Sequence, residues 1–377
     1  MKKWQQSLGI LSIACVGFCT NAGALEFIEV GNKSLGMGGA GVAFKNNSQS
    51  IFFNPALIAN NNYFEVGYSA GGALNEKNML KVVSSELNNI QDVENFNTLL
   101  KDNELRARLQ GALSLRIGNL GYGTAGIGVV MNAYGTAGFS GYLPTNQNNV
   151  NNAGINFNFA SVRLTEVPLA YGVELETPLG NLGFGASIKY LSASFQKSVT
   201  PLDDKFDVNN TIERIKFGSG ESRSDFGIDL GLTYSPISNL YIGLVGKNLN
   251  TPTFTFSDYE LKIRPQVRAG ASFNVLDSIT IAADADLTNN DVISLGNGII
   301  HSQKIGVGAS FDIAFFDVRV GIAKDLRQDN GAILSLGLGG FGILDIALAV
   351  STQTSPYTNG NQIPRYVAIQ IGGGFSF

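Results

Sequence analysis

The sequence predicts an all-β protein: a transmembrane antiparallel β-barrel of about 14 strands, with an N-terminal hatch in its lumen and a helical insertion on the outer side. Three observations carry this. From residue 62 to 377, apolar and polar residues alternate with period two in one segment after another, as half-buried strands require. The connections between these segments alternate short and long, the habit of outer-membrane barrels. The chain opens on an export leader and afterwards has no apolar run of about 18 residues, so no membrane helix is expected.

Residues 1–24 read as a signal peptide. Lys2 and Lys3 form its positive end, Leu8 to Phe18 its apolar core, and Ala22-Gly23-Ala24 a cleavage site near Ala24. A lipoprotein leader is the alternative, but Ser12-Ile13-Ala14-Cys15 lacks the expected leucine. Both cysteines, Cys15 and Cys19, fall in this leader. The mature chain then has no disulfide, thiol nucleophile or cysteine metal site. A net charge of −4 with no basic tract gives no sign of nucleic-acid binding.

The hatch is expected over residues 25–61. Gly31 to Ile58 is too rich in Gly and Asn for a helix and too irregular for a strand. Gly36, Gly38, Gly39 and Gly41 allow a tightly bent backbone. At Asn54-Pro55-Ala56, Pro55 fixes its own φ and biases Asn54 toward extended backbone. Such a compact segment suits a plug inside a barrel. The blocks Ser34-Leu35-Gly36-Met37-Gly38-Gly39-Ala40-Gly41-Val42-Ala43 and Phe53-Asn54-Pro55-Ala56-Leu57-Ile58 resemble the N-terminal hatch of the FadL-type outer-membrane transporters of long-chain fatty acids. They are more similar still to the relatives of that family known as TraF-type conjugal-transfer proteins. The redox proteins that share the TraF name depend on a C-x-x-C absent from the mature chain. Gly36 to Gly41 also fits G-x-G-x-x-G, but polar Asn32-Lys33-Ser34 stands where a dinucleotide site needs a strand, and Asn46-Asn47-Ser48 where it needs a helix.

The barrel is expected over 62–377. The first strand, Tyr63 to Ala73, sets Phe64, Val66 and Tyr68 against Glu65, Gly67 and Ser69. Residues 75–103 change to helical spacing, with Leu80, Val83, Leu87 and Ile90, then Val93, Phe96 and Leu100. Asp92 is placed to cap a second helix. This insertion reads as a lid on the outer rim or as a segment that binds a partner. On the next strand Leu105 to Ile117 share the outer face, and Arg106, Arg108, Gln110, Ser114 and Arg116 the inner. A turn is expected at Gly118-Asn119. Further strands follow to Ala133, over 166–176 and 184–190, and over 226–234 and 240–249. The clearest alternation runs from Tyr259 to Asn274, with Leu261, Ile263 and Val267 outward and Lys262, Arg264, Gln266 and Arg268 inward. Five more strands begin near 279, 302, 316, 331 and 343, and a last one near 364 ends in aromatic Phe377. That ending resembles the signal read by the barrel-assembly machinery. Short turns lie at 118–119, 178–181, 236–239, 277–278, 314–315 and 340–342. Longer stretches lie at 74–103, 135–158, 200–221, 250–258, 288–301 and 354–363.

Catalytic chemistry is not expected. His301 is the one histidine, so no Ser-His-Asp triad or His-rich metal set can be built. Asp284 and Asp286 share a strand face and are expected to pair with lumenal cations. The basic lumenal residues Arg106, Arg108, Arg116, Lys262, Arg264 and Arg268 read either as a site for a carboxylate headgroup or as charge balance for Glu166, Glu174, Asp229, Asp284 and Asp286. No catalytic residue, metal or cofactor is assigned.

By the FadL resemblance, the barrel passes hydrophobic molecules such as fatty acids without a bound energy source. The TraF resemblance implies another role, in assembly at the cell envelope and without transport. The expected partners are outer-membrane lipids, the barrel-assembly machinery and a hydrophobic small molecule, with a monomer as the expected state. The expected location is the outer membrane of a Gram-negative bacterium.

Overall fold

The computed structural model describes residues 25–27, 29–45, 47–59, 64–84, 90–148, 150, 153–202, 220–257, 259–292, 300–340, 343–357 and 361–376. The leader at 1–24, Leu87 and Phe377 lie outside these. Fourteen strands close into one antiparallel barrel. The first seven are β1 (Phe64–Lys77), β2 (Glu104–Leu120), β3 (Gly123–Ser140), β4 (Asn156–Thr177), β5 (Gly180–Pro201), β6 (Glu221–Ile237) and β7 (Leu240–Lys247). The other seven are β10 (Gln266–Leu276), β11 (Ile279–Asp286), β14 (Lys304–Ile313), β15 (Phe316–Asp325), β16 (Ala332–Gly340), β17 (Leu344–Ser351) and β20 (Tyr366–Ser376). Each pairs with the next along the chain, and β1 closes the ring against β20, from Glu65 opposite Ser376 to Asn75 opposite Tyr366. Closure leaves no unpaired sheet edge, the condition for strands to cross a bilayer.

Period two decides the faces. Leu109, Leu113 and Ile117 on β2, Leu169 and Leu175 on β4, and Leu334, Leu336 and Leu338 on β16 are exposed outward. Arg108, Gln110, Ser114 and Arg116 are buried inward. An apolar outside and a polar inside is the arrangement a lipid-facing barrel needs. The short turns differ in detail from the sequence reading. β2 continues through Asn119 to Leu120, and the chain reverses at Gly121-Tyr122, where Gly121 takes φ 72°, a left-handed value that favours glycine. The first three long connections are shorter than expected, because β1, β3, β4 and β5 extend past their expected ends, and the last three are longer, because the wall strands beside them stop short. Three of them carry two-stranded hairpins: β8 (Thr253–Thr255) with β9 (Glu260–Lys262), β12 (Asn290–Val292) with β13 (Ile300–Ser302), and β18 (Thr354–Pro356) with β19 (Gln362–Pro364).

One expected strand divides in two. The alternation from Tyr259 to Asn274 holds in sequence, but β9 pairs only with β8 and the wall strand β10 starts at Gln266. Pro265 stands between them with no N–H for a ladder. The side chains change sides across it. Leu261 and Ile263, expected outward, are 0 % and 2 % exposed and pack with Leu25, Tyr134 and Phe254. Lys262 and Arg264 therefore lie in a connection and not on the barrel's inner face.

Between β1 and β2 the chain forms α2 (Met79–Ser84) and α3 (Val93–Lys101). Asp92 caps α3, its carboxylate accepting from Asn95 N at 2.9 Å. The phase of α2 differs from the expected one. Met79 and Val82 face the core, while Val83 is exposed. With Phe96 and Leu100 they join Phe139, Leu143, Ile155, Phe157 and Leu202 in an apolar cluster at the long-connection ends of β3 and β4.

The N-terminal hatch fills the lumen. It does contain helical turns, contrary to the sequence reading: α1 (Asn32–Gly36) and 3-10 turns at Ser50–Phe52 and Pro55–Ile58. Each is a single short turn between bends, which is why no helical periodicity marks it. Asn54 is extended, as expected before proline, and caps the second 3-10 turn by accepting from Ala56 N at 3.0 Å.

Candidate functional site

The glycine motif works by close approach. An added Cβ on Gly38 would stand 2.7 Å from the carbonyl oxygens of both Ile322 and Val307, and one on Gly36 3.1 Å from Gly337 Cα. Gly38 and Gly39 also hold φ 67° and 87°. On Gly41 an added Cβ would lie 2.4 Å from Phe53, so this bend also admits only glycine. The wall answers in kind: an added Cβ on Gly306, Gly308 or Gly321 would meet the Met37–Gly38 backbone. Among the described residues no strand precedes the motif and no α-helix starts from it; α1 leads into it and ends at Gly36. The requirement of a dinucleotide site is not met.

Wall side chains satisfy the hatch backbone. Asp284, expected to pair with a cation, takes both Gly41 N (2.8 Å) and Val42 N (2.9 Å) on one carboxylate oxygen. Ser335 accepts from Gly38 N and donates to Gly36 O. Ser272 donates to Ala43 O, Lys247 to Phe52 O, and Gln110 to Glu29 O. Asn54 donates to Val42 O at 3.0 Å and to Leu232 O at 3.2 Å, which ties the Asn-Pro-Ala block to β6. At the short-turn side, Asn32 donates to Asp345 and Lys45 pairs with Glu174.

Above the hatch, at the long-connection end of the strands, is a cavity with ≈ 690 Å³ of empty space, part of it open to solvent. Its wall comes from the ends of β1 (Ala73, Leu74, Asn75), β2 (Arg106, Ala107, Arg108), β3 (Tyr134, Gly135), β14 (Lys304), β16 (Ile333) and β20 (Tyr366). Leu25 and Glu26 of the hatch form its floor. Asp325, Gln328 and Asn330 also border it, so three cations and two carboxylates, Glu26 and Asp325, surround a space whose exposed surface is mostly apolar. Glu26 stands between two of the cations, 3.1 Å from Lys304 Nζ and 3.7 Å from an Arg108 guanidinium nitrogen. Burial works to raise the Glu26 pKa, but Lys304 and Arg108 outweigh it and hold the carboxyl down at about 2. Glu29, 3.5 Å from Lys304, is lowered in the same way against the same burial cost. Tyr134 is buried at this cavity, and its hydroxyl has no hydrogen-bond partner among the described residues.

Of the six basic residues singled out in the sequence, the structure brings Arg106 and Arg108 together here. Arg106 also meets Glu104 (3.3 Å) and Gln328 (2.7 Å). Arg116 sits toward the other end of β2, paired with Glu65. Arg268 is fully buried at the start of β10 and outside the cavity lining, 2.6 Å from Asp286, with its guanidinium 4.0 Å above the Phe27 ring. Lys262 pairs with Glu260 and Arg264 with Asp291 in the connections. His301, also in a connection, contacts Asp291 at 2.8 Å. Sequence reasoning missed Glu26, Lys304, Tyr134 and Tyr366. Lys304 carried a signal: it precedes outward Ile305 and so must point inward.

An outward-apolar barrel, filled from within by its own N-terminal segment and bearing a lined cavity at one end, defines a hatch-bearing membrane β-barrel. Residues 51–286, more than half of the chain, match the family model described as F plasmid transfer operon, TraF, protein, and the chain belongs to that family. Among solved structures it is similar to the Ralstonia pickettii toluene transporter TbuX, at 15% identity over 92% of this chain and 98% of that one, with a TM-score of 0.58. It is also similar to a Pseudomonas aeruginosa FadL homologue, at 13% identity over 94% and 100% of the two chains and a TM-score of 0.57. The P. putida toluene transporter TodX gives 13% identity, 93% and 98% coverage and a TM-score of 0.56. At these identities the likeness is one of fold. A search of curated proteins returned no match.

Proposed function

We propose that this protein is an outer-membrane barrel that takes up hydrophobic molecules passively, with fatty-acid-like compounds as its ligands. The observation that carries the reading is the cavity itself: apolar walls for an alkyl or aromatic body, and Arg106, Arg108 and Lys304 for an anionic end. Folds similar to it belong to proteins described as toluene transporters and a FadL homologue, which supports passage of apolar compounds in general. The Gly36–Gly41 and Asn54–Pro55–Ala56 blocks serve as the docking points of the hatch, whose position governs passage. Arg116, Lys262, Arg264 and Arg268 act in charge balance, each beside its own carboxylate. On this reading the protein is inserted by the barrel-assembly machinery, with Phe377 as part of the signal, and the leader is cleaved near Ala24.

Lipid analysis of the purified protein, together with uptake of labelled fatty acid in a deletion strain, tests the reading. Co-purified carboxylate lipid and slowed uptake on deletion support it; a protein free of apolar ligand and a strain with unchanged uptake contradict it. A second reading, assembly at the cell envelope without transport, is favoured by the family match and by the filled lumen. Loss of conjugal transfer with normal uptake would select it.

A further inference from the structure

We infer that Glu26 is a built-in stand-in for the ligand's carboxylate: it occupies the anion position between Arg108 and Lys304, and an incoming carboxylate takes its place and releases the start of the hatch. This rests on the reading of the cavity as the ligand site.

The argument starts from where Glu26 comes from. Of the two carboxylates that line the cavity, Asp325 belongs to the wall strand β15 and Glu26 to the hatch, so Glu26 can leave without breaking the barrel; Glu29, also of the hatch and 3.5 Å from Lys304, stays to hold part of that cation's charge. The two Glu26 oxygens divide between two wall cations, Oε1 toward Arg108 and Oε2 toward Lys304. At 3.1 Å from Lys304 and 3.7 Å from Arg108 the carboxylate lies between two cations, bonded to the first and only near the second, the place an amphiphile's headgroup would take. Its neighbour Leu25 packs under the hairpin residues Phe254, Leu261 and Ile263, as a short alkyl tail would. Leu25 and Glu26 together therefore mimic the apolar-plus-anionic pattern of the ligand. The hold is also loose on one side. The Arg108 contact is long, and that Arg108 nitrogen makes no geometrically satisfactory hydrogen bond. The Tyr134 hydroxyl beside it is likewise unused. A free carboxylate, unconstrained by a backbone, could approach all three groups. With Glu26 charged at any ordinary pH, exchange is anion for anion and leaves the cavity's charge unchanged. A neutral ligand enters without that exchange and leaves the Glu26 contacts in place.

The test uses the full mature barrel in lipid nanodiscs with two probes of equal chain length, dodecanoate and dodecan-1-ol. Replacing Glu26→Gln removes the internal competitor, so dodecanoate should bind about tenfold more tightly while dodecanol affinity stays the same. In the unmodified protein, dodecanoate and not dodecanol should speed hydrogen exchange of the amides from residue 26 to residue 30. This second measurement stands even if the variant does not fold. Wild-type binding of dodecanoate, with no gain in E26Q and no change in exchange, overturns the displacement and leaves the cavity as ligand site. Binding of neither probe overturns both.

Discussion

Exchanging Lys189 for Met should cost the barrel about 3–5 kcal/mol, the usual penalty for removing one partner of a buried ion pair. Lys189 Nζ lies 3.1 Å from Glu166 Oε2 and 3.1 Å from Asp229 Oδ1, so one ammonium neutralises two carboxylates. All three side chains are buried on the inner face, Lys189 at 2 % exposure. Asp229 keeps one bond in the variant, from Asn248 N at 2.8 Å, but Glu166 loses the one charged donor placed on it. Lys247 borders the same enclosed space, and a swing toward the carboxylates would offset part of the loss. It would have to give up Phe52 O to do so, so the hatch would loosen before the barrel opened. The assay is urea unfolding in vesicles, followed by the heat-sensitive shift on a gel. A triple change, Lys189→Met with Glu166→Gln and Asp229→Asn, removes charge and countercharge together and should recover most of the loss. A single variant within about 1 kcal/mol of wild type, the level of an exposed pair, would refute the reasoning. So would a triple variant no better than the single one.

Three further outcomes are expected. Gly38→Val puts side-chain atoms where Cβ alone would stand 2.7 Å from two wall carbonyls; it should undock the hatch and make residues 29–45 protease-sensitive while the heat shift persists, and wild-type resistance would contradict the close-approach account. Ile281→Arg, on the outward face of β11, should destabilise by about 2–4 kcal/mol if it lies near the bilayer midplane, and an unfolding free energy equal to wild type would mean that this face does not meet lipid. The Glu26 carboxyl, lowered from 4.5 to about 2, contributes docking stability that is full above about pH 4.5 and lost as pH falls toward 2. Hydrogen exchange of the 26–30 amides should therefore be level from pH 7 to 5 after correction for intrinsic rates and rise below that range, whereas E26Q should show a smaller rise, the remainder coming from Glu29, which Lys304 also holds down.

Much of the wall was legible because period two is a strong signal wherever one face meets lipid and the other a polar lumen. The strand from Glu104, with leucines on odd positions and arginines on even ones, has only one face assignment. The failure at 259–274 is instructive. Leu261, Ile263 and Val267 keep perfect alternation, yet Pro265 interrupts the ladder and a hairpin carries the first two inward. Alternation reports that one face is apolar; it does not report whether lipid or core covers it. The helix α2 was placed but misphased, since a six-residue helix gives too few turns to separate Met79 and Val82 from Leu80 and Val83. At the site, Arg106 and Arg108 could be read from β2 alone. Their union with Lys304 and Glu26 could not, because it depends on a barrel closing some 200 residues of chain onto the hatch.

The most direct test of the central claim, that the hatch governs passage of hydrophobic molecules through this barrel, is deletion of residues 25–53 followed by planar-bilayer conductance and solute uptake. The account expects a heat-modifiable barrel with raised conductance and altered uptake of fatty acid, because pairing from Phe64 onward does not include the hatch. A folded barrel with wild-type conductance and wild-type uptake would contradict it.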